Sequence, residues 1–223
     1  MTPFDRAAGF LEHCFAREVL LREALTHRSA AGAKGVGSNE RLEFIGDRVL
    51  GLVVAEWLLE RFPNEQEGKL GPRLAALVSK PTLARIAQAN DVGSMLTIAP
   101  GEAKRGVGTQ ATVLADAMEA MIGALYLDAG LDKARLFIRK VFTTELGEQA
   151  APPKDPKTAL QEWALKRALP LPHYIVLDQS GPSHAPRFVI QVSVGEASAS
   201  ASAGAKRAAE QEAARNLLGS LPE

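Results

Sequence analysis

The chain has 223 residues, enough for one large domain or two small ones, each with a buried core. Lys+Arg and Asp+Glu number 26 each, a formal net charge of +0. That balance excludes a strongly basic nucleic-acid coat and an acidic disordered tail as descriptions of the whole chain. Aromatic residues make up 5%, so Leu, Val, Ile and Ala must fill the core. With Cys14 as the single cysteine, no intrachain disulfide and no Cys-based metal site can form, and the chain reads as a protein of a reducing compartment.

Asp5, Arg6, Glu12 and His13 are scattered through the first fifteen residues, and no basic segment precedes an apolar one, so no signal peptide is expected. Helical patterning then predicts helices over Arg17–Leu25, Asn39–Phe62, Pro72–Val78 and Pro81–Asn90. The third of these is expected to begin at Pro72, because proline suits a first helical turn. Val49–Ala55, the most apolar run, is closed off by Arg48 and Glu56 and is too short to cross a bilayer. No membrane association is expected, and the predicted location is the cytoplasm. Thr97–Thr109 contains Pro100, Gly101, Gly106 and Gly108 and reads as a loop. Ala111–Leu127, ending near Gly130, and Leu131–Leu146 complete an all-α region without a convincing strand.

Gln149–Lys154, with Pro152 and Pro153, is the clearest break in composition. It sets expected boundaries of 1–148 for the helical domain, 149–154 for a linker and 155–223 for a second domain. Asp155-Pro156 is an N-cap followed by a first-turn proline, and Leu160, Trp163 and Ala164 recur at helical spacing. His173–Leu177, Arg187–Val194 and Ala197–Ala203 are strand candidates. In the second, Phe188, Ile190, Val192 and Val194 share one face; the third alternates Ala and Ser. Gly204–Leu218 is helical, with Ala209, Ala213 and Leu217 on one side. The expected fold is therefore all-α followed by a small α+β domain of order α-β-β-β-α.

The informative segment is Asn39-Glu40-Arg41-Leu42-Glu43-Phe44-Ile45-Gly46-Asp47. Glu43 and Asp47 are four apart, about 40° around a helix, and Glu40 joins the same stripe. Like charges at that spacing repel, and the apolar setting of Leu42, Phe44 and Ile45 raises the cost. A second apolar helix repeats the pattern with Asp116 and Glu119. A single acidic pair is ordinarily a solvated face. Two apolar helices that each turn a pair inward are how a helical bundle builds a divalent-metal site. Oxygen-only ligands select Mg²⁺ or Mn²⁺ over zinc, and such sites serve phosphate substrates.

The nine residues Asn39–Asp47 resemble the signature of bacterial ribonuclease III, and Leu114–Ala120 resembles its second acidic motif. Ala24–Ser29 and Phe62–Gly68 are also similar to that family. From Lys157–Glu162 through Ala208–Ala214 the chain resembles a double-stranded-RNA-binding domain. The order, an all-α nuclease domain before that domain, covers nearly the whole chain.

The resemblance implies that Glu43, Asp47, Asp116 and Glu119 hold catalytic Mg²⁺, with Mn²⁺ as its substitute. Asp47 and Glu119 are then the acids most directly tied to hydrolysis. Glu40 and Glu67 are supporting acids, and Phe44 packs into the second subunit of a homodimer. In the C-terminal domain it implies RNA contacts by Gln161 and Glu162, by the loop that contains His184, and by Lys206 and Arg207. From Lys154 onward there are 8 cations and 7 acids, so clustering rather than net charge carries that expectation. Lys206-Arg207 opens a helix, where two cations and the helix N-terminus can face one phosphate. The implied reaction is hydrolysis of double-stranded RNA to 5′-phosphate and 3′-hydroxyl ends with two-nucleotide 3′ overhangs. The implied substrates are ribosomal RNA precursors and structured messenger and transfer RNA precursors. The rival reading is a double-stranded-RNA-binding protein with an inactive helical domain.

Overall fold

A computed structural model describes residues 2–32, 35–148, 155–182 and 186–221. The expected linker 149–154 and His184 lie outside the described residues. The chain divides into two compact units, Met1–Pro153 and Lys154–Glu223.

In chain order the first unit contains α1 (Pro3–Phe10), α2 (Glu18–Ala24), α3 (Glu40–Arg61), α4 (Glu67–Leu77) and α5 (Lys80–Ala89). Then come α6 (Pro100–Lys104), α7 (Ala111–Val141) and α8 (Thr143–Gly147). Apart from Asp116 and Glu119, the first half of α7 is largely apolar, with Val113, Leu114, Ala117, Met118, Met121, Ile122 and Leu125 buried. Such a helix belongs at the centre, and α2, α3 and α5 pack around it. From α3 come Leu42, Val49, Leu50, Val53, Val54 and Leu58.

The crossing of α3 and α7 is set by two glycines. A Cβ at Gly46 would stand 1.8 Å from the Glu119 carbonyl oxygen, and one at Gly123 would stand 2.2 Å from that of Leu42. Backbone therefore meets backbone at this crossing, which no larger residue permits. At Gly130 (φ 81°, ψ 178°) α7 kinks. Just before the kink, the buried Asp128 ties the helix to the segment leading into α2. It hydrogen-bonds with His13 Nε2 at 2.7 Å and accepts from the backbone N–H groups of Ala16 and Arg17 at 3.0 Å. Burial alone would raise the Asp128 pKa, but these hydrogen bonds outweigh it and hold the carboxyl at about 2.

Three elements differ from the sequence reading. The N-terminal α1 was not expected, although Thr2 and Asp5 form a capping box and Pro3 occupies the first turn. Helix α4 starts at Glu67, not Pro72, and carries the proline inside it. Leu70, Leu74 and Leu77 line its core side, and their burial outweighs the hydrogen bond that Pro72 cannot make. Within the expected loop 97–109, Pro100 begins the short α6, followed by a 3₁₀ turn at Val107–Thr109.

The second unit contains α9 (Pro156–Lys166), β1 (His173–Ser180), β2 (Arg187–Val194), β3 (Ala197–Ala203) and α10 (Lys206–Ser220). Asp155 caps α9 by accepting from the Thr158 N–H at 3.0 Å. The sheet is antiparallel in the order β1-β2-β3, with an irregularity between Val176 and Asp178. Helix α10 packs on β2, β3 and α9. Between them lies a separate core of Leu160, Ala164, Val192, Val194, Ala213, Ala214 and Leu217. The Ala residues of β3 turn toward this core and Ser198, Ser200 and Ser202 face outward. Short Ala side chains there let α10 lie close on the sheet.

Candidate active site

Glu43 lies on α3 one turn before Gly46, and Asp116 and Glu119 lie on α7 just before the facing crossing point. The glycine contact draws the two helices together at this level. One carboxylate oxygen from each of Glu43, Asp116 and Glu119 lies within 4.8 Å of the others. Glu119 is buried, with 7% of its surface exposed, and Glu43 and Asp116 are half-buried. Glu43 and Glu119 border a cavity of about 520 Å³, whose wall also includes Glu40, Phe44, Asp47, Arg48 and Lys80.

Burial pushes the Glu119 carboxyl up to about 7, and the charges of Asp47, Glu43 and Asp116 add to the effect. Glu43 is raised as well, first by burial and then by Asp116. Lys80 supplies a partial counter-charge. Its Nζ donates to Asp116 Oδ1 at 2.8 Å, and this bond raises the lysine pKa. Carboxylates forced together at this cost are relieved by one compact multivalent cation. The donor set is oxygen throughout, so it fits a hard divalent ion.

The other expected residues are placed as follows. Asp47 lines the same cavity but stands outside the three-acid group, with its carboxylate accepting from Arg48 Nη1 at 3.0 Å. Glu40 is exposed at the first turn of α3 and accepts from Ser38 Oγ at 2.7 Å. Glu67 is exposed at the start of α4 and does not line the cavity. Phe44 is 62% exposed, with the Arg48 guanidinium 3.9 Å from its ring centroid. In the second unit Gln161 and Glu162 are exposed on α9, and Lys206 and Arg207 are exposed as the first two residues of α10.

Sequence reasoning missed Lys80. A signal was present: a lysine opens α5, where the helix dipole disfavours a cation. That local cost is offset by Asp116, which comes from another helix.

Comparison with known proteins places these features. The chain matches the Ribonuclease-III-like family over residues 17–146 and the double-stranded RNA binding motif over residues 156–221. It is 48% identical to a protein named Ribonuclease 3 from Caulobacter vibrioides over 219 residues, 95% of each chain. It is likewise 48% identical to Ribonuclease 3 from Dinoroseobacter shibae, over 92% of this chain and 90% of that one. The solved nuclease domain of ribonuclease III from Campylobacter jejuni superposes with a TM-score of 0.59 at 36% identity, over 63% of this chain and 96% of that one. A helical domain with an inward-facing acid cluster, followed by a double-stranded-RNA-binding domain, defines a class of double-stranded-RNA nuclease. The chain belongs to the ribonuclease III family, the double-strand-specific endoribonucleases.

Proposed function

We propose that the chain hydrolyses double-stranded RNA in a Mg²⁺-dependent reaction, with Glu43, Asp47, Asp116 and Glu119 as the metal acids. The observation that carries this reading is the convergence of Glu43, Asp116 and Glu119 within 4.8 Å in a half-buried setting. When bound, Mg²⁺ activates water and offsets the charge that builds on the phosphate during attack. The protein's own part is to hold four carboxylates where repulsion and burial make them avid for a cation. Glu119, raised to about 7, can hold a proton at its carboxylate when no cation is present. Lys80 keeps Asp116 oriented through its Nζ hydrogen bond. Glu40 and Glu67 act as supporting acids around the cleft.

The chain works as a homodimer in this reading. Phe44, Leu52 and Leu59 are 62%, 49% and 61% exposed, and they fall within about 80° of one another on α3. An exposed apolar stripe of this kind fits an identical stripe on a second copy. The Campylobacter jejuni structure is described as showing flexibility in a region involved in dimer formation of its nuclease domain. Two sites related by a two-fold axis match the pseudo-two-fold symmetry of a duplex and cut both strands. The products are 5′-phosphate and 3′-hydroxyl ends with two-nucleotide 3′ overhangs. Gln161, Glu162, His184, Lys206 and Arg207 hold the duplex across its grooves. Substrates are ribosomal RNA precursors and structured messenger and transfer RNA precursors, processed in the cytoplasm. No described helix is long and apolar enough to cross a membrane.

The test is a perfect RNA duplex incubated with the protein in Mg²⁺ or in chelator, with the ends of the products mapped. Cleavage is expected only with the divalent ion, and only of the duplex. Tight binding without cleavage at saturating Mg²⁺ would instead make the chain a binding protein.

A further inference from the structure

Beside the acid cluster lies a second, more polar recess of about 460 Å³, which shares Glu43 and Asp116 with it. Its wall includes Arg28, Asn39, Glu102, Gln110 and Thr112. Asn39 differs from its neighbours in one respect. The residue is buried, with only 6% of its surface exposed, yet its carboxamide has no hydrogen-bond partner among the described residues. Neither carboxamide atom is among the buried polar atoms sealed from solvent. What little of Asn39 is exposed therefore includes its polar end, and the recess is where it opens.

Position makes this more telling. Asn39 is the N-cap of α3, where asparagine ordinarily accepts from a first-turn N–H. Here its backbone is already helical (φ −67°, ψ −12°), and the side chain makes no capping bond. The main chain is fully engaged: its N–H donates to the Thr26 carbonyl at 3.0 Å, and its carbonyl accepts from Leu42 and Glu43. The residue is thus anchored firmly while its carboxamide is left free of intramolecular work. The carboxamide reaches solvent through the recess, so a ligand there can take hydrogen bonds that the protein itself leaves unused.

The chemistry of the recess narrows the ligand. Glu40 and Glu102, which hold no metal in this reading, keep its wall acidic, and that disfavours a phosphate deep inside it. Arg28, exposed and without an ion-pair partner among the described residues, is suited to a phosphate at the rim. A carboxamide offers one acceptor and two donor hydrogens, so it matches a neutral group that both donates and accepts. On duplex RNA the group of that kind nearest a backbone phosphate is the ribose 2′-hydroxyl, which the wide minor groove displays. Resting on the hydrolysis proposed above, we propose that the Asn39 carboxamide hydrogen-bonds the 2′-hydroxyl of a nucleotide next to the scissile phosphate. Asn39 is then a specificity-determining residue that helps distinguish RNA from DNA at the cut.

The experiment is a cycle between protein and substrate under single-turnover conditions with Mg²⁺. Wild type and Asn39→Ala are compared on an all-ribose duplex and on duplexes carrying one 2′-deoxy nucleotide at each position around the cut. Wild type is expected to slow about tenfold at one flanking position. Asn39→Ala is expected to be slow by a similar factor on the all-ribose duplex, and to lose nothing more at that position. Its melting temperature should match wild type, because the side chain makes no internal bond. If it melts lower, Asn39→Ser takes its place in the same cycle. Losses that multiply independently, a wild type indifferent to every 2′-deoxy position, or a variant with wild-type rates would overturn the assignment. A wild type that leaves the all-ribose duplex uncut overturns the hydrolytic reading itself, and this inference falls with it.

Discussion

Glu119 has the most strained electrostatics of the candidate site: a buried carboxylate facing three others, with its pKa raised to about 7 from an ordinary 4.5. The native state therefore keeps a proton that the unfolded chain releases. Between about pH 4.5 and 7 the native state binds more protons, so stability without metal falls as pH rises through that window. Glu119→Gln should remove most of this slope and stabilise the metal-free protein above pH 7 by about 1–3 kcal/mol. Calorimetry in chelator from pH 5 to pH 8 reads the effect directly. Parallel melting curves for wild type and variant would show that Glu119 is not under the proposed strain. The acids were legible in the sequence because their meaning lies in local spacing: i, i+3 and i, i+4 on apolar helices. Lys80 and Asn39 were not legible. The role of Lys80 depends on a helix 36 residues away in sequence. That of Asn39 depends on a cap that fails to form.

The α3–α7 crossing is the element on which the site depends. Gly46 and Gly123 were visible as letters, but their function is a distance between two backbones that only the fold supplies. Gly46→Ala would place a methyl against the Glu119 carbonyl, and the neighbouring atoms are backbone, which cannot swing aside. The helices must separate at the level of the acids. We expect a loss of about 2–3 kcal/mol or more in chemical denaturation, and a fall in cleavage larger than the lost folded fraction explains. Wild-type stability and activity in this variant would contradict the close crossing. Most helices were readable from apolar periodicity, and β2 and β3 from alternation. The start of α4 was not, because a proline's local preference lost to the burial of Leu70, Leu74 and Leu77. The N-terminal α1 was readable in principle from Thr2-Pro3 and Asp5, since its signal is entirely local.

At the scale of the molecule, cutting and holding are divided between two units with separate cores. A fragment ending at Ala151 keeps every proposed metal acid and loses Gln161, Glu162, Lys206 and Arg207. It should retain some cleavage at low salt and lose most of it at physiological salt, because the phosphate contacts that remain are fewer. An unchanged salt dependence would remove the second unit from RNA binding. The near-neutral charge of that unit hid its role from composition; the motif and the order of its elements carried it. The most direct test of the division is Glu119→Gln, assayed for cleavage and for duplex binding side by side. Gln keeps the volume and removes one charge and one strong oxygen ligand, which an amide replaces poorly at Mg²⁺. Cleavage should vanish while RNA affinity and the oligomeric state stay at wild-type levels. Wild-type cleavage by this variant at moderate Mg²⁺ would contradict the account.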